Sequence, residues 1–217
     1  MAASVKALAL LVLALVACAP PPAKVGPIAT RAQLVPTETL LALIERSTKV
    51  TYKVTYDVTG VGGNQVLRGR WVIYQRPPDL RVDMAQAVGN ATSETRTWAV
   101  GDTVTVCASP ADCRSTARAS AEAVGAGAQL DAVIRERPYD FEVSRAEDQQ
   151  AAARTAFCYR IVPKPGVRAE FVDADLCYGA DDIPLVVRLV SGDGEVRFRA
   201  VSVSDRVEPE EMRPPGR

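Results

Sequence analysis

The chain contains 217 residues, with 26 basic and 26 acidic side chains, five cysteines and no histidine. The absence of histidine excludes Ser/His/Asp and Cys/His nucleophile pairs and His-ligated metals. The zero net charge argues against a nucleic-acid binder, which normally carries a basic surplus. The length suits one domain with a sizeable core and is too short for two domains of ordinary size.

Residues 1–17 have the pattern of a secretory signal. Lys6 precedes an apolar run from Ala7 to Ala17, which is too short to span a bilayer. The four residues that end at Cys18, Leu-Val-Ala-Cys, resemble the lipobox of bacterial lipoproteins. This resemblance implies cleavage before Cys18, transfer of a diacylglyceryl group to its thiol and acylation of the new amino terminus. The alternative is an ordinary signal peptide with an incidental cysteine.

Residues 18–36 form the predicted membrane attachment. Prolines at positions 20, 21, 22, 27 and 36, with almost no apolar periodicity, predict an extended, poorly ordered tether. Two or more acyl chains hold a protein firmly at a membrane, whereas one binds only marginally. We therefore expect an extracytoplasmic protein that is lipid-anchored to a bacterial membrane, with a folded domain over residues 37–210 and a short tail over 211–217.

Four further cysteines lie in the exported part of the chain. In an oxidising compartment they most simply form two disulfides, and three connectivities are possible. Local spacing favours Cys107 with Cys113 and Cys158 with Cys177, because Cys107 ends a predicted strand and residues 110–112 form a turn. A four-cysteine zinc site and redox catalysis are the rivals, but both favour a short Cys-x-x-Cys spacing that is absent here.

The first predicted element of the folded part is an amphipathic helix over residues 37–48. Thr37 is a suitable N-cap, and Glu38 lies in the first turn. Apolar residues follow at helical spacing: Leu40, Leu41, Leu43 and Ile44. This apolar stripe predicts that the helix packs against another element.

After this helix, apolar and polar side chains alternate, which predicts a β-hairpin with one face exposed to solvent. Apolar side chains recur at every second residue from Tyr52 to Val58, and residues 60–64 form a glycine-rich turn. The second strand carries Arg68 and Arg70 on one face. Its other face is apolar and consists of Leu67, Gly69, Trp71 and Ile73.

More strands are predicted beyond residues 77–79. Alternation over residues 80–84 predicts a third strand, and residues 94–100 and 103–107 form a further hairpin around Gly101-Asp102. The Ala-rich stretch 115–137 is predicted as two short helices with a flexible joint. Later strands are predicted at about 139–145, 155–162, 169–178, 183–190 and 195–204. Nine or ten strands with few helices predict an α+β fold, one large antiparallel sheet covered on one face by helices.

Two stretches carry a family resemblance. The first is Gly69–Val82 with its Pro77-Pro78-Asp79 break, and the second runs from the strand at Pro184–Leu189 to the C-terminal close at Val207–Pro215. Together with the order of elements, they resemble the LolA/LolB-like superfamily, which includes the LppX and LprG group of lipid-binding lipoproteins. The resemblance implies a curved, unclosed half-barrel whose helices cover the concave face and whose apolar cavity holds acyl chains. This chain differs from the family pattern in two features. LolA-type carriers are soluble, whereas this chain has a predicted membrane anchor, and its four further cysteines are not part of the general family pattern.

Seven apolar side chains are candidates for the cavity lining, and each is equally a candidate for ordinary core. They are Leu67, Trp71, Ile73, Leu80, Val82, Met84 and Trp98. The chain lacks the Gly-x-Ser-x-Gly, Ser-x-x-Lys, P-loop and dinucleotide-binding motifs. Acidic residues at 173, 175, 181 and 182 do not have calcium-loop spacing, which favours a solvated turn over a calcium site or an acid/base pair.

These patterns predict a protein without catalysis, metal or cofactor. Its expected partners are a lipid or an acylated protein cargo and, through the anchor at Cys18, a membrane. We expect it to act as a monomer and not to bind nucleic acid. The alternative is an envelope sensor or protein-interaction module that uses the same fold with a filled core.

Overall fold

The structure of the protein, a computed structural model, describes residues 36–109, 111–118 and 128–215, with side chains from residue 130 onward in the last range. The predicted signal, the anchor at Cys18 and nearly all of the predicted tether lie outside these ranges, as does the joint predicted near residue 125. Two helices are described, α1 over Pro36–Ser47 and α2 over Ala128–Glu136. Short 3-10 turns follow at Pro138–Asp140 and Pro209–Met212.

Twelve strands make up the rest of the described fold. The first half contains β1 (Tyr52–Gly62), β2 (Gln65–Arg76), β3 (Asp79–Val88), β4 (Ala91–Val100), β5 (Thr103–Ser109) and β6 (Asp112–Ala117). The second half contains β7 (Phe141–Arg145), β8 (Gln149–Ala151), β9 (Arg154–Pro163), β10 (Asp173–Tyr178), β11 (Pro184–Ser191) and β12 (Gly194–Ser204).

The strands form one open antiparallel sheet in the order β6-β5-β4-β3-β2-β1-β12-β11-β10-β9-β7, with β8 paired to β9. Each half is a meander of sequential neighbours, and the pairing of β1 with β12 joins the halves from Lys53 opposite Ser204 to Gly62 opposite Gly194. β6 and β7 are the two ends of this order. The structure confirms the predicted α+β class, a large antiparallel sheet that is not closed, with a few helices.

The helices pack on one face of the sheet, which we call the inner face. It is marked by Val54, Ile73 and Val82, which lie opposite one another across β1, β2 and β3 and are almost completely buried. The alternation predicted from the sequence therefore selects the covered face. The helical side chains in the same core cluster are Leu40, Leu43, Ile44, Leu130 and Ile134.

Polar contacts fix the C-terminal end of α1 on the sheet. Gln75 Nε2 donates to the carbonyl oxygens of Ser47 at 2.6 Å and Val50 at 3.0 Å. The first bond engages the carbonyl of the last residue of α1, and the second holds the short segment that leads from α1 to β1. The guanidinium of Arg46 donates to both carboxylate oxygens of Asp182, at 2.7 and 2.9 Å. α1 is thereby tied to both halves of the sheet.

The C-terminal 3-10 turn packs on the opposite face, which we call the outer face. Met212 is buried beside Tyr74 and Val207, and the Glu211 carboxylate accepts a hydrogen bond from Lys53 Nζ at 2.6 Å. Arg81 donates to the Glu211 carbonyl at 2.6 Å. The turn therefore continues the packed structure across the boundary predicted at residue 210.

Three predicted segments differ from the structure. Residues 115–117 belong to β6 and not to a helix, because pairing with β5 outweighs the local preference of an Ala- and Ser-rich stretch. Residues 169–172 precede β10 and are not part of it. The short β8 was not predicted, because three residues are too few to show an alternation.

Neither described helix has the length and the apolar character that crossing a bilayer requires.

Candidate functional site

A cavity of about 800 Å³ lies at one end of the inner face, between the sheet and α2. The sheet contributes the end of the β1–β2 hairpin and the end of the β11–β12 hairpin. α2 contributes Leu130 and Val133, and the segment over residues 168–171 completes the described lining. The cavity therefore spans the junction between the two halves of the sheet.

The strand register places a row of apolar residues across the cavity floor. Gly60 lies opposite Leu67 on one side and Val196 on the other, and the row continues to Val88 and Leu189. A β-carbon at Gly60 would lie 3.0 Å from the Glu195 carbonyl oxygen and 3.1 Å from a methyl group of Val196. Glycine at the centre of this row therefore keeps the floor free of a side chain where the neighbouring groups lie close together.

Aromatic contacts position two further lining residues. Phe198 meets Trp71 edge to face, with ring centroids 5.0 Å apart, and Phe171 stacks on Phe141 with centroids 5.6 Å apart. Such pairs add to the stabilisation that burial gives. Phe171 belongs to the segment 168–171, which has no regular secondary structure. The contact between Phe171 and Phe141 therefore stabilises the position of this segment. Its position beside the cavity is thus held by a ring contact with β7.

The rim of the cavity is charged. Four lining side chains make up what we call the charged rim: Arg137, Arg168, Glu170 and Asp193. Arg137 lies 3.5 Å from the Asp140 carboxylate. Glu195 also borders the cavity, but its carboxylate pairs with Arg188 at 3.2 Å. The site thus combines an apolar floor with charges of both signs at its edge.

The predicted lining residues separate into three groups in the structure. Leu67 lines the cavity, and Trp71 lies behind the floor through its contact with Phe198. Four others belong to the inner-face core or pack against it without lining the cavity: Ile73, Leu80, Val82 and Met84.

Trp98 lies on the outer face, and its placement in the cavity was wrong. It lies opposite Arg81 in the β3–β4 register, whereas the inner-face residue Val82 lies opposite Thr97. The Arg81 guanidinium stands 5.0 Å from the Trp98 ring centroid. Sequence reasoning failed here because β4 reverses the usual pattern and places threonine on the covered face and a large aromatic residue on the other.

Sequence reasoning did not assign several residues to the cavity. They are Val88, Leu130, Val133, Phe171, Leu189, Val196 and Phe198. Strands close to β11 and β12 were predicted from the sequence. Their place beside β1 was not visible, because it depends on a pairing between the two ends of the chain.

An acidic side chain lies on the covered side of α2. The Tyr178 hydroxyl donates to Asp131 Oδ1 at 3.5 Å, and burial raises the pKa of Asp131 to about 7, against the opposing effects of Arg135 and this hydrogen bond. Burial also raises the pKa of the Tyr178 hydroxyl well above its usual value. The Asp131 carboxyl group is therefore a weaker acid than an exposed aspartate, because it lies against an apolar core.

The acidic residues that the sequence analysis singled out are engaged in ion pairs. Asp173 Oδ2 accepts from Arg160 at 2.7 Å and from Arg188 at 3.1 Å, and Asp175 lies 3.3 Å from Arg188. The other two pairs are Arg154 with Asp181 and Arg46 with Asp182. In the part of the chain that the structure describes, no group of three or more histidine, cysteine or acidic side chains is placed to hold a metal ion.

The four cysteines pair locally. Cys107 is bonded to Cys113 across β5 and β6, and Cys158 to Cys177 across β9 and β10. In both cases the two residues lie directly opposite each other in the strand register. This is the connectivity that the spacing favoured over the two other pairings, and each bridge joins two neighbouring strands.

Comparison with known proteins identifies the fold. Neither the protein-family models nor the curated proteins give a match to this chain. Among solved structures, a chain of the MucA/MucB complex of Pseudomonas aeruginosa matches with a TM-score of 0.54 and 14% identity, over 82% of this chain and 60% of that chain. A crystal structure of MucB matches with a TM-score of 0.53 and 13% identity, over 82% and 62%. The chain thus spans about 60% of these two chains.

The matches also include the lipoprotein LppX of Mycobacterium tuberculosis, with a TM-score of 0.49 and 14% identity, over 79% of this chain and 98% of that chain. At these identities the comparisons establish the fold alone.

Proposed function

We propose that the protein is a membrane-anchored extracytoplasmic lipoprotein that binds a lipid or a protein-linked acyl chain in the inner-face cavity, without catalysis. The observation that carries the proposal is the cavity of about 800 Å³ with its aliphatic and aromatic floor. Ligand cavities in proteins commonly measure about 300 to 1,000 Å³ and are lined mainly by apolar side chains with a few polar groups.

The size of the cavity suits a long acyl chain. A group the size of a water molecule or a methylene occupies roughly 30 Å³, so the cavity has room for roughly 25 such groups. Each buried methylene contributes about 0.8 kcal/mol. Ten of them would give about 8 kcal/mol before the costs of ordering are subtracted. Burial of a chain alone thus supplies enough free energy for useful affinity.

The sequence supports the location of this function. The signal-like segment and Cys18 provide an export route and an acceptor for the acyl anchor, and residues 19–36 provide a spacer. Replacement of Cys18 by serine should abolish the lipid modification of the N-terminal region. Mass spectrometry of the N-terminal peptide should show an added diacylglyceryl group in the wild type. A lipid-modified Cys18→Ser protein, or an unmodified wild-type peptide, would contradict the anchor.

The binding function is tested by filling the cavity. Leu67→Trp adds an indole ring to the floor, and Val201→Trp adds the same ring to an outer-face position that is 44% exposed. In a Cys18→Ser background, the parent and Val201→Trp should bind a fluorescent fatty acid with saturable, one-to-one stoichiometry. Leu67→Trp should bind at least about tenfold more weakly, which corresponds to about 1.4 kcal/mol.

Thermal unfolding of each variant separates lost binding from lost folding. Val133→Trp fills the cavity from α2 and provides a second test if Leu67→Trp does not fold. If the parent shows no saturable binding, or if both fillings leave the affinity unchanged, the cavity is not the binding site.

A second function is favoured by the likeness to MucB, which has been solved together with MucA. In this case the protein is an envelope sensor or interaction module, and its partner is a protein. Native mass spectrometry of the protein extracted from its own envelope distinguishes the two. A bound mass in the lipid range supports the carrier, whereas a bound protein that Leu67→Trp does not displace supports the interaction module.

A further inference from the structure

The charged rim contains two arginines and two carboxylates at the entrance of an otherwise apolar cavity. Arg168, Glu170 and Asp193 make no ion pair with any residue that the structure describes, and Arg137 has only the 3.5 Å contact with Asp140. Both members of that contact are well exposed, at 44% and 40%. These charges are therefore free to interact with a ligand that occupies the cavity.

Charges elsewhere on the sheet are arranged differently. On the outer face, Arg188 contacts Asp173, Asp175 and Glu195 at 3.1 to 3.3 Å, and Arg160 contacts Asp173 at 2.7 Å. In this part of the outer face, neighbouring strands thus neutralise each other's charges. At the cavity entrance the same protein leaves charges of both signs unpaired.

We infer that the charged rim binds the headgroup of a zwitterionic phospholipid of the phosphoethanolamine type, while acyl-chain methylenes of that lipid occupy the apolar floor. This inference rests on the proposed function and names its ligand class. The planar guanidinium of arginine presents paired donors that match phosphate oxygens. Glu170 and Asp193 complement the ammonium group of the same headgroup.

The two carboxylates decide between headgroups. A headgroup that carries only negative charge, such as phosphoglycerol, gains from Arg137 and Arg168 but is repelled by Glu170 and Asp193. A diacylglycerol has no charge and gains from neither pair. Only a headgroup with both a phosphate and an amine can use all four side chains.

The test compares three lipids with identical acyl chains: phosphatidylethanolamine, phosphatidylglycerol and diacylglycerol. Each competes with a fluorescent fatty acid for the full chain carrying Cys18→Ser. We expect phosphatidylethanolamine to bind about tenfold more tightly than the other two, as one well-formed charge-assisted contact would allow. Native mass spectrometry gives the stoichiometry of each complex.

Variants assign the preference to the rim. Arg168→Gln should weaken phosphatidylethanolamine about five- to tenfold and leave diacylglycerol unchanged. The double variant Glu170→Gln and Asp193→Asn should strengthen phosphatidylglycerol relative to phosphatidylethanolamine. Arg68→Gln removes an exposed arginine from the outer face and should change none of the affinities. All of these positions are exposed, so the variants should fold.

The outcomes separate the headgroup inference from the proposed function. Equal affinity for the three lipids, or an Arg168→Gln protein with unchanged selectivity, overturns the headgroup inference and leaves acyl-chain binding intact. If the fluorescent fatty acid binds but none of the three lipids displaces it, the headgroup inference alone is overturned. If the parent protein binds neither the fatty acid nor any of the three lipids, the proposed lipid-binding function is overturned with it.

Discussion

Asp131 in α2 is a single residue that makes the stability of the fold depend on pH. It belongs to the first turn of α2 and faces the hydroxyl group of Tyr178, while Leu130, next to it, lines the cavity. A carboxylate at this position loses hydration on folding and gains only one long hydrogen bond in return. Its pKa accordingly rises to about 7.

The raised pKa predicts how stability changes with pH. An unfolded aspartate titrates near about 3.9, so between about pH 4 and pH 7 the folded state holds a proton that the unfolded chain has lost. Asp131 therefore lowers the free energy of unfolding progressively as the pH rises through this window, and the loss is complete above about pH 7. Asp131→Asn removes this titration. The variant should match the wild type near pH 4 and exceed it by up to about 4 kcal/mol at pH 8, since each unit of pKa difference corresponds to about 1.4 kcal/mol.

Urea unfolding of the two proteins at a series of pH values measures this difference. Glu136→Gln removes an exposed carboxyl from the same helix and serves as the control. A constant difference between wild type and Asp131→Asn from pH 4 to pH 8 would show that Asp131 does not titrate as the structure indicates.

Two cross-strand disulfides act at the scale of elements, in different surroundings. Cys158 and Cys177 are completely buried between β9 and β10 and close a loop with a sequence separation of 19. Cys107 and Cys113 join β5 to the end strand β6 with a separation of 6, and Cys113 is exposed. The two bridges should therefore differ in accessibility and in their contribution to stability.

Removal of each bridge should reveal this difference. By the chain-entropy argument, replacing both Cys158 and Cys177 by alanine should cost about 3 kcal/mol, and replacing Cys107 and Cys113 should cost about 2 kcal/mol. In the native protein a mild reductant should open the Cys107–Cys113 bridge first. Denaturant unfolding and peptide mapping after graded reduction test the two statements, and earlier reduction of the buried bridge would contradict the second.

Local patterning was sufficient to predict most elements and the faces of the first strands. Leu67, Trp71 and Ile73 do share the covered face of β2, because every second side chain of a strand points the same way. Where local pattern and tertiary pairing disagree, the prediction failed. Residues 115–117 at the end of β6 were predicted as helix, and Trp98 was placed on the wrong face. In both cases the pairing with a neighbouring strand decides the structure, and a single sequence does not contain that register.

The candidate site depends on the whole molecule. Its floor row crosses β3, β2, β1, β12 and β11, so it exists only when the first and last strands of the fold are paired. The sequence showed the apolar residues on both sides of this seam but not their juxtaposition. Leu67 was therefore recognised as a candidate, whereas Val196 and Phe198 became lining residues only through a pairing of strands far apart in sequence.

This dependence predicts that a ligand in the cavity stabilises the entire fold. A ligand that binds only the folded state at 100 times its dissociation constant adds about 2.7 kcal/mol to the free energy of unfolding. For a domain of this size that corresponds to an increase in Tm of roughly 5–10 °C. Calorimetry of the delipidated Cys18→Ser protein, with and without the lipid that binds it best, should show one cooperative transition that moves upward as a whole. Val201→Trp should show the same increase, whereas Leu67→Trp, which binds at least about tenfold more weakly, should show about half of the increase or less. An equal increase in Leu67→Trp would mean that the lipid stabilises the protein from another surface, because the added indole ring should weaken a lipid that is bound in the cavity.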